Sequence, residues 1–284
     1  MKSSSLFRLV LCTLAGVVAA SAGTPAHAHL IAPGKKPPAV LYADNFFGSD
    51  VAIFDESGRS QRPISQIGGI DPTLGLFVDS SRNLYVAQSS GVLEYALGGS
   101  SPIQTFGDPG HIGGDVTLCP NGTLYVSNED NTVSVYANGA TEPTDTLTDN
   151  VFEIFAIACD ANNDIFVSEF GKQYQVDEFP AGGSGFVNLP VTTGFPEGLA
   201  VDRAGDLVVA NTSTVDFYHV GQNSPFKSIA VPSEPLRLSF EQGDKSLWVM
   251  TSAGTIQRYT VASGRLTDTI SGMETGGIAA SPAD

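Results

Sequence analysis

The chain is short of charge, of cysteine and of any long apolar run beyond its N-terminus. Only 15% of its 284 residues are charged, and 14 lysines and arginines face 30 acids, leaving a formal net charge of -16. So large an acidic excess repels phosphate, which argues against nucleic acid or anionic lipid as partners. No later stretch is long and apolar enough for a transmembrane helix. Catalytic signatures are also missing. The sequence has no Gly-x-Ser-x-Gly elbow, Cys-x-x-Cys, His-Glu-x-x-His, P-loop or Gly-x-Gly-x-x-Gly, which removes the common hydrolase, redox, zinc-protease and nucleotide-binding motifs.

What is present favours strands. Thirty-one glycines and 17 prolines punctuate short runs rich in Val, Ile, Phe and Tyr. The first 22 residues read as a secretory leader: basic Lys2 and Arg8, an apolar run from Leu9 to Ala20, and a small-residue cleavage site at Ala20-Ser21-Ala22, with Ala26-His27-Ala28 offering a second. The predicted organisation is a signal peptide over 1–22, a Pro- and Ala-rich linker over 23–38 and a single domain over 39–284. The expected location is the periplasm or the medium, with no membrane insertion once the leader is removed.

An internal repeat dominates from Val40 onward. A strand, a turn and a second strand recur as GLFVDSSRNLYVAQ (75–88), DVTLCPNGTLYVSN (115–128), AIACDANNDIFVSE (156–169), GLAVDRAGDLVVAN (198–211) and RLSFEQGDKSLWVMT (237–251). The equivalent apolar positions Leu84, Leu124, Ile165, Leu207 and Leu247 are separated by 40, 41, 42 and 40 residues. That period matches a four-stranded propeller blade. A third strand ending on an aromatic (Tyr95, Tyr136, Phe179, Tyr218, Tyr259) and a polar fourth strand complete each unit. Five units are whole. VLYADN, VAIF and PISQI at the start supply the second to fourth strands of a sixth, and GGIAAS (276–281) supplies its first. The expected fold is therefore all-β: a six-bladed β-propeller of four-stranded antiparallel blades, closed by the C-terminal strand joining the N-terminal blade. A monomer is expected.

The run PEGLAVDRAGDLVVAN (196–211) resembles NHL-type repeats. The pattern as a whole is similar to the propeller superfamily that includes gluconolactonases and strictosidine synthases. The resemblance covers nearly the whole chain after the leader and is specific for fold rather than activity. In the gluconolactonase-like family, one Glu together with Asn and Asp from other blades holds Ca²⁺. Glu197 resembles that Glu, and Asn128, Asn211 and Asp44 resemble the other ligands. The chain departs from the family in carrying this Glu in its fifth unit and in lacking the family's second-strand Trp.

Read from the residues themselves, two sets of polar side chains converge on the channel. Asp71, His111, Asp115, Glu153, Glu197, Arg237 and Glu274 precede or open first strands. Asp44, Gln88, Asn128, Glu169, Asn211 and Thr251 end second strands. If both sets share one mouth, the result is an oxygen-rich ring with one arginine. Glu197, Asp44, Asn128, Asn211 and Glu169 are the metal candidates, since hard cations such as Ca²⁺ take carboxylate and amide oxygens. Asp71, Asp115, Glu153, Arg237 and Glu274 form the ligand rim. Glu197 and His111 are the candidate acid–base residues. A solvated polar rim is the alternative to a cation site.

Asp79, Asp160 and Asp202 end first strands and are expected to accept turn amide hydrogen bonds. Asn121-Gly122 is expected to form a hairpin turn, since both residues tolerate positive φ. Cys119 and Cys159 occupy nearly equivalent places in consecutive units. They form either a disulfide between adjacent blades or a pair of buried thiols.

Three function classes follow. The first is an exported binding propeller for a protein, peptide or glycan at the channel face. The second is a metal-dependent lactone or ester hydrolase. The third is a structural module without ligand.

Overall fold

The computed structural model describes residues 38–44, 48–57, 61–71, 75–108, 111, 113–148, 151, 153–170, 174–191, 194–241 and 243–281. The leader and nearly all of the linker expected before the domain lie outside the described residues.

The repeats fold into six four-stranded antiparallel sheets. Blade 1 contains β1 (Val40–Asp44), β2 (Asp50–Asp55) and β3 (Ser65–Gly68). Blade 2 contains β4 (Gly75–Val78), β5 (Leu84–Gln88), β6 (Gly91–Tyr95) and β7 (Gln104–Gly107). Blade 3 contains β8 (Gly113–Leu118), β9 (Leu124–Asn128), β10 (Val133–Tyr136) and β11 (Asp145–Leu147). Blade 4 contains β12 (Ile154–Cys159), β13 (Ile165–Glu169), β14 (Gln175–Phe179) and β15 (Val187–Asn188). Blade 5 contains β16 (Leu199–Val201), β17 (Leu207–Asn211), β18 (Thr214–Tyr218) and β19 (Lys227–Ala230). Blade 6 contains β20 (Pro235–Phe240), β21 (Ser246–Thr251), β22 (Thr255–Thr260) and β23 (Arg265–Ser271). The last strand, β24 (Ile278–Ser281), returns to blade 1 and pairs with β1 from Val40↔Ser281 to Ala43↔Ile278.

The fold is thus a closed six-bladed β-propeller. The inner strands β4, β8, β12, β16, β20 and β24 each pack on the next, and β24 packs back on β4. Second strands alternate between neighbours: one face of a pleated strand meets the blade before, the other the blade after. Six apolar clusters result, one at each blade interface. Val86 and Tyr42 meet between blades 1 and 2, for example, and Trp248 and Leu41 between blades 6 and 1. Trp248 and Tyr42 are almost wholly inaccessible, and each such side chain contributes roughly 1.5–3 kcal/mol on burial.

The turns between first and second strands share one geometry. In each, the fourth residue donates its N–H to the first residue's carbonyl, at Arg82→Asp79, Gly122→Cys119, Asn163→Asp160, Gly205→Asp202 and Asp244→Glu241. That fourth residue is left-handed every time, with φ from 53° to 85°. Oδ1 of Asp79, Asp160 and Asp202 accepts backbone N–H groups within its turn, as expected. At Asn121-Gly122 only Gly122 has positive φ. Pro120 occupies the second turn position with its fixed φ, so Asn121 follows in the ordinary right-handed region.

Arg82 is the exceptional residue in this series, since a long side chain rarely adopts positive φ. It is buried, and its guanidinium donates from Nε to Ser281 Oγ at 2.9 Å and from Nη2 to the Pro38 carbonyl. Blade 2 thereby clamps both chain ends at the seam. On the same lower face Cys119 and Cys159 form a disulfide between blades 3 and 4, with Cα atoms 5.5 Å apart.

Candidate functional site

The antiparallel pairing puts the starts of the inner strands and the ends of the second strands on one upper face. Gly113 is opposite Asn128, Ile154 opposite Glu169 and Pro235 opposite Thr251. The two polar sets inferred from sequence therefore share a mouth. Below it runs a central cavity of about 220 Å³, which residues from all six inner strands line.

Local backbone irregularities aim the mouth residues. The ladders slip at the start of β8, β12 and β20, where Asp115, Phe155 and Leu236 fall in or beside the irregularity. Such bulges redirect side chains at sheet rims. Gly198 performs a related task between blades 5 and 6. A Cβ there would stand 2.7 Å from the Leu236 carbonyl oxygen and 2.9 Å from the Arg237 Cα. Only glycine lets the blades approach so closely, and the approach brings Glu197 beside Arg237.

Arg237 spans the mouth. Its guanidinium carbon lies 3.9 Å from the ring centre of Phe155, two blades away. Its charge also acts on Asp115, on the diametrically opposite blade, and on Glu197. Asp115 is buried and accepts from the backbone N–H of Val116 and, across the blade interface, of Ile157. Burial raises its pKa, against Arg237 and these two amides. Glu197 is 4% exposed. Its pKa is pushed up to about 8, first by burial and then by Glu234, with Arg237 opposing. Its carbonyl accepts from Ser168 Oγ of blade 4, while carboxyl oxygen Oε2 is buried with no hydrogen-bond partner among the described residues. A buried acceptor left unpaired is costly, and Glu197 Oε2 is one of several such atoms among the described residues.

Phe155 also begins an aromatic shelf that the sequence reading missed. Phe155 and Phe170 stack at 5.8 Å, Phe170 meets Tyr174 edge-on at 5.7 Å, and Phe195 touches both Phe170 and Tyr174. Tyr174 is 49% exposed. The signal is in the sequence: Phe155 lies at the start of β12, Phe195 precedes β16 and Phe170 follows Glu169, beside the polar residues that mark the mouth.

The remaining candidates separate. Asp71, Glu153 and Glu274 are exposed on the upper rim, and Glu153 has positive φ. Asp44 is buried, and its Oδ1 accepts the Gly277 N–H at the closing strand. Asn211 Oδ1 accepts three backbone N–H groups, from Gly194, Phe195 and Thr212. It therefore pins the loop that presents Phe195. Asn128 donates to Thr132 and Ser134, and its Oδ1 is buried without a partner among the described residues. Gln175 donates to Glu169 Oε2. Ca²⁺ needs six to eight convergent oxygens. Here Asn211 has committed its oxygen, and no three His, Cys, Asp or Glu side chains among the described residues come together as a metal site. Of the ligand set that the resemblance implies, Asn211 does not fit, since its oxygen already accepts three backbone N–H groups.

His111 makes a 2.8 Å contact from Nδ1 to Asp130 Oδ2, and Thr132 Oγ1 lies 3.4 Å from the same nitrogen. Thr132 and Asp130 thus crowd one edge of the ring, and Thr132 is not placed as a nucleophile for Nε2. His219, with an equally close Asp206 at 2.6 Å, is a surface residue stacked on Phe226. A His–Asp contact is therefore no signature of catalysis in this molecule.

No protein-family model matches the chain, and no curated protein matches it. Among solved structures it is similar to a protein of unknown function from Bacteroides caccae. The TM-score is 0.65 at 14% identity, over 86% of this chain and 98% of that one. At such identity the likeness establishes the shared fold alone.

Proposed function

We propose that this protein is an exported, non-enzymatic binding propeller that holds a ligand at its upper channel mouth. The observation that carries the reading is the mouth between blades 4 and 6. There an aromatic shelf, a spanning arginine and an incompletely satisfied buried glutamate lie together. Rigid inner strands position these groups, and a few polar groups beside an aromatic wall suit recognition. Export is supported by the leader-like N-terminus and by the disulfide, a bond typical of oxidising compartments. The NHL-like repeat pattern agrees with a recognition role and names no ligand.

The lactone-hydrolase reading is weaker, because one of its implied metal ligands, Asn211, has its oxygen committed to three backbone N–H groups. The test is titration of the purified protein against peptide and glycan panels, alongside lactone turnover with and without Ca²⁺. Saturable binding that Arg237→Ala abolishes, without turnover, supports the binding propeller. Ca²⁺-dependent turnover lost in Glu197→Gln would overturn it.

A further inference from the structure

The mouth's chemistry also narrows the ligand, an inference that rests on the upper mouth being the binding face. The first observation is the site's own precedent. Arg237 lays its guanidinium on Phe155, so one end of the shelf already holds a cation against an aromatic face. The other end, at Tyr174, is half-exposed. The second observation is an imbalance of donors and acceptors. Glu197, 96% buried, has a carboxyl oxygen without a partner among the described residues, and Asp71, Glu153 and Glu274 surround the mouth with further oxygens. A sugar hydroxyl brings acceptors as well as donors, and its acceptors would find few partners here. An ammonium or guanidinium group brings donors only. The third observation is overall charge: at -16, the protein attracts cations from a distance.

We propose that the shelf is a docking site for a basic peptide. A lysine or arginine stem lies along Phe170, Phe195 and Tyr174, and the cationic head points to Glu197. The apolar stem covers the rings while the head keeps its polar contacts, a division natural to long basic side chains.

The test uses fluorescence anisotropy at physiological salt with the full mature protein. The probe is an end-capped peptide carrying two lysines and one arginine, and its control replaces them with norleucine and citrulline. The expected result is saturable binding of the basic peptide and about tenfold weaker binding of the control. Tyr174→Ala and Glu197→Gln should each weaken the basic peptide roughly three- to tenfold. Tyr174→Phe, which keeps the ring, should bind as the parent does. Equal affinity for both peptides, or indifference to Tyr174→Ala, overturns the proposal. Binding of cellohexaose or chitohexaose in place of the peptide, lost with Tyr174→Ala, overturns this inference and leaves the channel-mouth reading standing. If neither peptide nor sugar binds, both fail.

Discussion

The two faces of the propeller are built from the same repeat but follow different rules. On the lower face, five blades repeat one turn, with a left-handed residue at the same place and, in three of them, an aspartate capping the same amides. The lower face also carries the clamp at Arg82 and the disulfide. The upper face varies more from blade to blade, although the second strands of blades 3 and 5 both end on asparagine. The repeat position that holds Asp115 and Arg237 is Gly75, Ala156 and Gly198 in the other whole units, and Phe155 and Glu197 stand one residue before it. Repetition marks the groups that close and stabilise the ring. Divergence on a fixed frame is where the proposed ligand contacts lie.

The contrast breaks most severely if the ring is opened. Deleting residues 276–284 removes β24, with Ile278 and Ala279 from the core and the partner of Arg82. A loss on the order of 5 kcal/mol or more is expected, visible as a collapse of the melting transition. An unchanged melting curve would mean the ends do not close the ring. Next in size is the disulfide. It spans 40 residues, and replacing both cysteines with serine should cost about 3–4 kcal/mol by denaturant titration while leaving ligand affinity unchanged.

The third prediction concerns pH and involves one group on each face. Glu56, buried beside the Glu241–Arg258 ion pair, has a pKa pushed up to about 8 by burial and by Glu241, against Arg258 and Arg82. Glu197 on the upper face is raised to about the same value. A raised acid holds its proton more tightly when folded. Its stabilising contribution is full below the ordinary value of 4.5 and disappears as pH rises to about 8. Stability should therefore fall between pH 4.5 and 8, on the order of 2 kcal/mol per group, and Glu56→Gln should flatten its share of the slope. A melting temperature that rises over this window would contradict the assignment.

Smaller effects sharpen the comparison. Gly198→Ala should cost about 1–3 kcal/mol by forcing blades 5 and 6 apart, and should weaken ligand binding more than its stability cost suggests. Tyr174→Ala should cost less than about 0.5 kcal/mol in stability, because the ring is half-exposed, and act almost wholly on binding.

The fold was legible in the sequence because its signals are local and repeated. The 40- to 42-residue spacing, the third-strand aromatics and the split terminal unit each required the same closed ring. The turn aspartates were legible for the same reason: a side chain that accepts amides two to four residues away needs no knowledge of the fold. The mouth was half legible. Chain position placed Glu197, Arg237 and Asp115 on the correct face, but could not say that Arg237 reaches Phe155 two blades away. Nor could it show that Asn211 spends its oxygen on Gly194, Phe195 and Thr212 rather than on a cation. Those outcomes depend on contacts between loops and between blades, such as the close approach of Gly198 to Leu236 and Arg237, that composition does not encode.

The most direct test of a mouth short of positive charge is a carbon-13 titration of the Glu197 side-chain carboxyl, assigned with Glu197→Gln. Its midpoint should lie near 8 in the free protein and move to lower pH when the basic peptide is bound. A midpoint near the ordinary 4.5, unmoved by the peptide, would contradict this picture of the site.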